Sequence, residues 1–428
     1  MKNLLSLCLI SVIFLNFNFS QFSKAKKFAK SITAKDLTQH LTIYSSDEFE
    51  GRDTGAPGQK KAVEYLRNYY KSINVKPGDP DMDYFQPITL NISSRGGRNN
   101  SKKVESENVI AIIEGSTKPN EYVVISAHLD HVGTKDGEIY NGADDDGSGT
   151  VAVLEIAEAF KKAVKRGKRP KRSIIFLHVT GEEKGLLGSK YYTDDDPIYP
   201  LENTIVNLNI DMIGRIDPTR KAKNRDYIYL IGSDHDSKDL HNLSEQTNQE
   251  TINMTLDYRF NDKDDPNRFY YRSDHYNFAK NGIPVIFYFS GTHEDYHKPT
   301  DTVDKIEFDL LELRTKLIFY TAWNIANREE RLVVDPKPIK ISINLSEKEL
   351  EKYHGLYSSE MMPMKFKVLT VNGKLALNPV SMDQPLIMDA TSSNTFKQEM
   401  AGIEVSFSDK KMKLKMRGRE FEFNLEEN

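Results

Sequence analysis

The chemical signal in this chain sits where short apolar runs end, at His128, Asp130, Asp144, Glu182, Glu183, Asp211 and His297. The densest stretch is Asn141 to Gly149, NGADDDGSG, in which Asp144, Asp145 and Asp146 are adjacent. Neighbouring carboxylates repel one another and are costly to hold in an ordered loop without a compensating cation. Imidazole together with carboxylate is a donor set that suits zinc. Two histidines and several acids are enough for two divalent ions. One carboxylate would be shared, and each ion would keep a terminal histidine and a terminal carboxylate. Paired ions depress the pKa of a shared water and stabilise the oxyanion formed when that water attacks a carbonyl. The reaction also needs a carboxylate that is not a ligand, to take the water's proton and return it to the leaving amine. Glu182 and Glu183 offer one group for each task, and the sequence alone does not decide between them. Asp130 can accept the second ring N–H of His128 and fix its tautomer.

These residues need a sheet whose strands end together. Tyr122 to Ala127 is a β-branched apolar run that reads as a buried strand, with His128 at its end. Ser173–Val179 reads as the next strand and leads straight into Thr180-Gly181-Glu182-Glu183, while Asn203–Ile210 ends in Asp211. Tyr84–Ile92, Asn108–Glu114, Tyr227–Gly232 and Pro284–Phe289 complete the set. Helical periodicity marks about Gln21–Leu41, Gln59–Ile73 and a helix to about Lys165 that Ser148 can cap. Strands alternating with helices call for an α/β fold, with a mixed, largely parallel twisted sheet covered by helices on both faces. In such sheets ligands gather at the carboxyl ends of strands. After about Glu330 the pattern changes to period two, with Asn372-Gly373 as a hairpin signal. The expected organisation is a signal peptide at 1–20, a main domain at 21–333, a linker at 334–344 and a small antiparallel β domain at 345–428.

At this point the chain resembles a known family: the secreted di-zinc aminopeptidases (metallopeptidase family twenty-eight), relatives of glutamate carboxypeptidase and glutaminyl cyclase. The resemblance rests on HLD at His128, NGADDDGSG at Asn141, TGEEKGLLGS at Thr180, NID at Asn209, SDHYNFAKNGIP at Ser273 and DYHKPTDT at Asp295. It implies a zinc-exopeptidase-like fold with two zinc ions. His128 and Asp211 would hold one ion, Glu183 and His297 the other, and Asp144 would bridge them. Glu182 would be the general base and Asp130 would stand behind the ligands. The resemblance also implies a strained, often cis, peptide at Asp144-Asp145. The expected activity is hydrolysis of peptide bonds by a metal-bound hydroxide, with peptides as substrates and an aminopeptidase as first choice. A carboxypeptidase or dipeptidase would need basic residues for a terminal carboxylate, and Arg259, Arg268 and Arg272 are candidates. Two further readings are a one-zinc glutaminyl cyclase and a non-catalytic binding module that kept the fold. Tyr271, or its neighbour Tyr270, is a candidate oxyanion donor.

The net charge of -4 gives no reason to expect nucleic acid or an anionic membrane as partner. Lys2 and the apolar Leu4–Leu15 segment read as an export signal, so the expected location is periplasmic or extracellular, without membrane insertion after cleavage. Cys8, the single cysteine, lies inside that segment. Other chemistry-like residues read as structural. Asp194-Asp195-Asp196 and His235 fall in turns, His178 falls inside a strand, and Gly167–Arg172 reads as a solvated basic loop. His293–His297 spells H-E-x-x-H, which works only on a helix, where positions i and i+4 share a face. It follows a strand and Ser290-Gly291 and precedes Pro299, so the helical zinc motif is rejected while His297 is kept.

Overall fold

The computed structural model describes residues 23–93, 101–336, 343–381, 385–416 and 418–426. The expected signal segment at 1–20 and most of the expected linker lie outside them. By packing the chain divides into two compact units, one drawn mainly from residues up to 336 and one mainly from 337 onward.

The first unit is built on strands β1 (Lys76–Pro77), β2 (Phe85–Ser93), β3 (Ser101–Ile113), β4 (Lys118–His128), the hairpin β5 (Gly133–Lys135) and β6 (Glu138–Tyr140), β7 (Arg172–Val179), β8 (Thr204–Ile210), β9 (Tyr227–Ile231), β10 (Thr255–Asp257) and β11 (Val285–Phe289). The main sheet runs β1-β3-β7-β4-β8-β11-β9-β10, with β2 on β3. β7, β4, β8 and β11 are mutually parallel neighbours, while β3 and β9 flank them antiparallel. Four parallel strands side by side end on one edge, and that edge collects the residues singled out above. Their full burial accounts for the near-continuous apolar runs.

Helices cover both faces. Phe308–Asn327 packs against Ala34–Tyr44, Gly149–Lys165 and Lys238–Glu250, and Ile286 and Tyr288 of β11 join that core. Alternate residues of a strand face opposite ways, so Phe287 looks the other way and stacks on His275 of the short helix His275–Lys280. The amino-terminal helix is interrupted, spanning 23–29 and then Ala34–Tyr44, where Thr33 caps the second piece through Asp36 N. The helix Gly149–Lys165 is capped differently from expectation. Asp146 Oδ1 accepts the Gly149 N–H at 2.9 Å, while the Ser148 hydroxyl donates to Asp144 O. Part of the basic loop is not solvated: Arg172 is fully buried, pairing with Glu121 and donating to the carbonyls of Ile325 and Arg328.

The second unit contains β12 (Gly355–Ser358), β13 (Phe366–Val371), β14 (Lys374–Pro379), β15 (Leu386–Ile387), β16 (Asp389–Ala390), β17 (Thr395–Gln398), β18 (Ile403–Ser408), β19 (Lys411–Met416) and β20 (Arg419–Leu425). They form one antiparallel sheet in the order β15-β14-β13-β12-β20-β19-β18-β17-β16. Its two ends are strands adjacent in sequence, so the sheet curls almost into a barrel. The β13–β14 hairpin turns on Asn372 and Gly373, both at positive φ, as the Asn-Gly signal requires. Among the described residues no helix is long and apolar enough to cross a membrane.

Candidate metal centre

His128 closes β4 opposite Val179, the last residue of β7, and two residues earlier Ser126 pairs with Asn209 near the end of β8. Two groups of donors converge there. His128 Nε2 lies 3.2 Å from Asp145 Oδ1 and 3.6 Å from Asp211 Oδ1. His297 Nε2 lies 3.0 Å from Asp145 Oδ2 and 3.1 Å from Glu183 Oε1. The two oxygens of one aspartate thus face the two groups. That aspartate is Asp145, not Asp144 as the resemblance implied.

The local backbone explains the shift by one. Asp145 is extended, at φ -100 and ψ 99, so its side chain points away from those of its neighbours. Asp144 Oδ1 accepts the Gly214 N–H at 2.6 Å and its Oδ2 lies 3.2 Å from His293 Nε2. Asp146 accepts the N–H groups of His128, Gly149 and Met212, at 3.1, 2.9 and 3.1 Å. Both flanking acids are tethers, and only the middle one faces both His128 and His297. The cis peptide likewise lies one step on from the expected Asp144-Asp145, at Asp145-Asp146.

Other groups hold the donors in place. The Nδ1 of His128 meets the backbone oxygen of Asp130 at 3.0 Å, whereas the Asp130 carboxylate is 3.9 Å away. Donation to that oxygen leaves the lone pair on Nε2, aimed at Asp145 and Asp211. The Asp130 carboxylate instead accepts the Thr54 hydroxyl at 2.7 Å and the Glu182 N–H at 3.2 Å. Asp211 Oδ2 accepts from Ser273 Oγ at 2.6 Å, and Ser273 is held in turn by Asn209 at 2.8 Å. Asp301 accepts the N–H groups of both Asp144 and Asp145. Arg52, buried, donates to the carbonyls of Leu129, Tyr44, Asn141 and Gly142, tying the end of β4 to the acidic loop. Met212 and His297 both have positive φ, at 57 and 54. Such strain clusters at functional sites.

The electrostatics are mutually dependent. Burial works against a charge on His128, but Glu182 and Asp211 outweigh it and raise its pKa well above the usual range. Burial also opposes charge on His297, which Asp145 and Glu183 push up to about 10. Glu183 goes down to about 2, because His131 and His297 overcome burial and the repulsion of Asp145. Glu182 goes well above the carboxylate range, first through burial and then through Glu183, Asp211 and Asp274, with His128 opposing. Carboxylates that draw protons onto two imidazoles would equally hold divalent cations against neutral ones. The residues therefore fit a metal: Asp145 Oδ2 and Glu183 Oε1 are buried without a hydrogen-bond partner among the described residues. Two sets of donors each lie within 4.8 Å of one another, His128 with Asp145 and Asp211, and His131 with Asp145 and Glu183.

Other residues of the quoted motifs and turns are engaged as follows. Residues 291–297 are not helical, and His293 pairs with Asp144. Tyr271 lies in the one-turn helix Phe269–Tyr271, edge-on to Tyr270 and 4.2 Å under the Arg268 guanidinium. That segment groups with the second unit. Asp274 accepts from the Ser189 hydroxyl, and burial pushes it up to about 7. Asp194 pairs with Lys280 at 2.6 Å. His178 meets the Tyr70 hydroxyl at 2.7 Å and burial pushes it down to about 3. Sequence reasoning missed Asp145, Ser273, Arg52, Asp301 and His131. The Asp-Asp-Asp run and the SDH and PTDT motifs were the available signals for three of them.

The model for Peptidase family M28 matches residues 108–322, half of the 428-residue chain. Over 125 residues the chain is 35% identical to the Probable glutamate carboxypeptidase LAMP1 of Arabidopsis thaliana, which covers 29% of this chain and 17% of that protein. Over 243 residues it is 27% identical to Aminopeptidase YwaD of Bacillus subtilis, covering 55% of this chain and 47% of that one. The matches thus span less than half the length of either curated relative. The fold is similar to that of the LapA aminopeptidase of Legionella pneumophila, with a TM-score of 0.54 and 21% identity over 72% of this chain and 75% of that one.

Proposed function

We propose, for a chain that belongs to peptidase family M28, that it is a zinc-dependent exopeptidase of the aminopeptidase type. The observation that carries the proposal is the pair of donor groups that share Asp145. His128, Asp145 and Asp211 would hold one zinc ion, and Asp145, Glu183 and His297 the other. When bound, the two ions supply Lewis-acid polarisation of a carbonyl and an acidified water. Glu182 is the general base. Its Oε2 is 4.0 Å from His128 Nε2 and its backbone is pinned by Asp130. It receives the water's proton and delivers it to the leaving amine. Substrate enters on the His297 side, where that side chain is 38% exposed while His128 and Asp145 are almost fully covered.

The aminopeptidase reading is supported by how the arginines are employed. Arg259 binds Asp217 at 3.3 Å and Thr219, and Arg268 donates to Glu399 O, so two of the three candidates for gripping a terminal carboxylate are engaged within the protein. Two donor groups also support two ions rather than the single zinc of a glutaminyl cyclase.

Purified protein should contain two zinc ions, lose activity to a chelator and regain it with zinc. Glu182→Gln should keep both ions and lose about 10²–10⁴-fold in kcat. Near-normal turnover by that variant removes Glu182 from its role. Peptides blocked at the amino end should resist hydrolysis while those blocked at the carboxyl end are cleaved; the opposite pattern would make the enzyme a carboxypeptidase.

A further inference from the structure

We infer that His131 is a fourth protein ligand at the second metal position, beside Asp145, Glu183 and His297. The inference rests on the function proposed above. His131 is fully buried, and neither ring nitrogen has a hydrogen-bond partner among the described residues. An imidazole with both nitrogens unanswered in the interior is costly to keep. Its Nδ1 lies 3.0 Å from Glu183 Oε1 and 3.7 Å from Asp145 Oδ2. Those are the same oxygens that His297 Nε2 approaches at 3.1 and 3.0 Å.

Three of these contacts, at 3.0 to 3.1 Å, are short enough for hydrogen bonds, yet neither nitrogen of His131 makes one. Lone pairs that aim at one common point, rather than at each other, produce that pattern. Zinc with donors about 2.0–2.1 Å away in a tetrahedron sets those donors about 3.3 Å apart. The four nitrogen–oxygen separations here, 3.0 to 3.7 Å, bracket that spacing.

The backbone also fixes where the ring sits. His131 N–H is held on Arg52 O at 3.2 Å. Gly142, at φ +55, leaves the ring its slot, since a Cβ there would come within 2.5 Å of it. His178 provides the contrast. It is an equally buried histidine, but its Nε2 is answered by Tyr70 and its ring lies among Tyr70 and the β-sheet core. His131 faces two carboxylates and a second imidazole, with ring centroids 5.7 Å apart.

The two ions then differ. The one at His128, Asp145 and Asp211 keeps a position open to water or substrate, while the other has four protein donors and is the more tightly held. The test is metal content of the full-length protein, dialysed against graded chelator, for wild type, His131→Asn and His131→Cys. Wild type should release its ions in two steps. In His131→Asn the later step should move to weaker binding by more than the ~10–100-fold typical of losing a residue that only orients a ligand. His131→Cys, loaded with cobalt, should recover the later step and show a cobalt–thiolate charge-transfer band. Circular dichroism checks that both variants fold, and if His131→Asn does not, the cysteine variant decides by its band. Two ions held with wild-type affinity by His131→Asn, or a folded cysteine variant without that band, overturns the inference and leaves the proposed function standing. Wild type without zinc overturns both.

Discussion

Strands β12 to β20 bury Val405, Leu414 and Phe423 and turn their lysines and glutamates outward, whereas the carboxyl edge of β4, β7, β8 and β11 buries Asp130, Asp144, Asp145, Asp146, Asp274 and Asp301 together. Among the described residues after 342, no polar or charged side chain of the second unit is buried. Ordinary cores avoid charge because desolvation costs several kcal/mol per ion. A fold that gathers six buried acids at one edge, and answers most of them with backbone N–H groups, has placed its chemistry there. The β unit is explained by its apolar side chains, and the sheet edge only by what its acids hold.

The largest expected effect separates two adjacent aspartates within that edge. Asp145→Asn should abolish binding of one or both zinc ions and lower kcat/KM by more than about 100-fold, beyond the range for residues that merely orient a ligand. Asp144→Asn removes a tether to Gly214 and His293, so its loss should stay within about 10–100-fold and its zinc content should remain at two. Metal analysis of the pair is decisive, because equal zinc loss in both would return the bridging role to the loop as a whole.

That pair also marks what the sequence could and could not yield. Apolar runs, and the placing of His128, Glu182 and Asp211 at or just past strand ends, were legible because burial on both faces writes itself into composition. The Asn372-Gly373 hairpin was legible because its turn demands positive φ. Which of three adjacent aspartates faces the histidines was not, since it depends on one residue's backbone angles. Asp130 shows the same limit: its backbone oxygen, not its carboxylate, meets His128. Arg52 and Arg172 were hidden because basic residues are ordinarily exposed, and their burial is explained by distant carbonyls and, for Arg172, also by Glu121. His131 was passed over as a neighbour of better-marked residues.

A second variant probes the other side of the comparison. Phe407 packs on Tyr353, Tyr357 and Phe396 inside the β unit. Phe407→Ala should destabilise that unit by about 3–5 kcal/mol in a denaturant melt. Its zinc content should be unchanged, since none of the metal donors comes from the second unit. Loss of zinc alongside the lost packing would break the division between an apolar unit and a chemical one.

The mildest test asks whether a buried acid always signals function. Glu155 lies buried in the helix Gly149–Lys165, with His40 Nε2 3.6 Å from it. Its charged neighbours are Glu158, Asp36 and Lys162 rather than the metal donors. Burial, then Glu158 and Asp36, push its carboxyl up to about 8 from an ordinary 4.5. Below 4.5 both folded and unfolded chains hold the proton and nothing is lost. Between 4.5 and 8 the unfolded chain releases a proton that the folded one keeps, so stability falls as pH rises, by up to about 1.4 kcal/mol per pH unit. Above 8 the penalty is complete. His40, lowered first by burial, adds a slope of opposite sign below its ordinary 6.5, so the clean window is pH 6.5 to 8. Glu155→Gln should flatten the stability profile across that window and leave peptidase activity intact. A profile as steep as wild type would mean that Glu155 is ionised in the fold, and a loss of activity would make it a second buried acid with work to do.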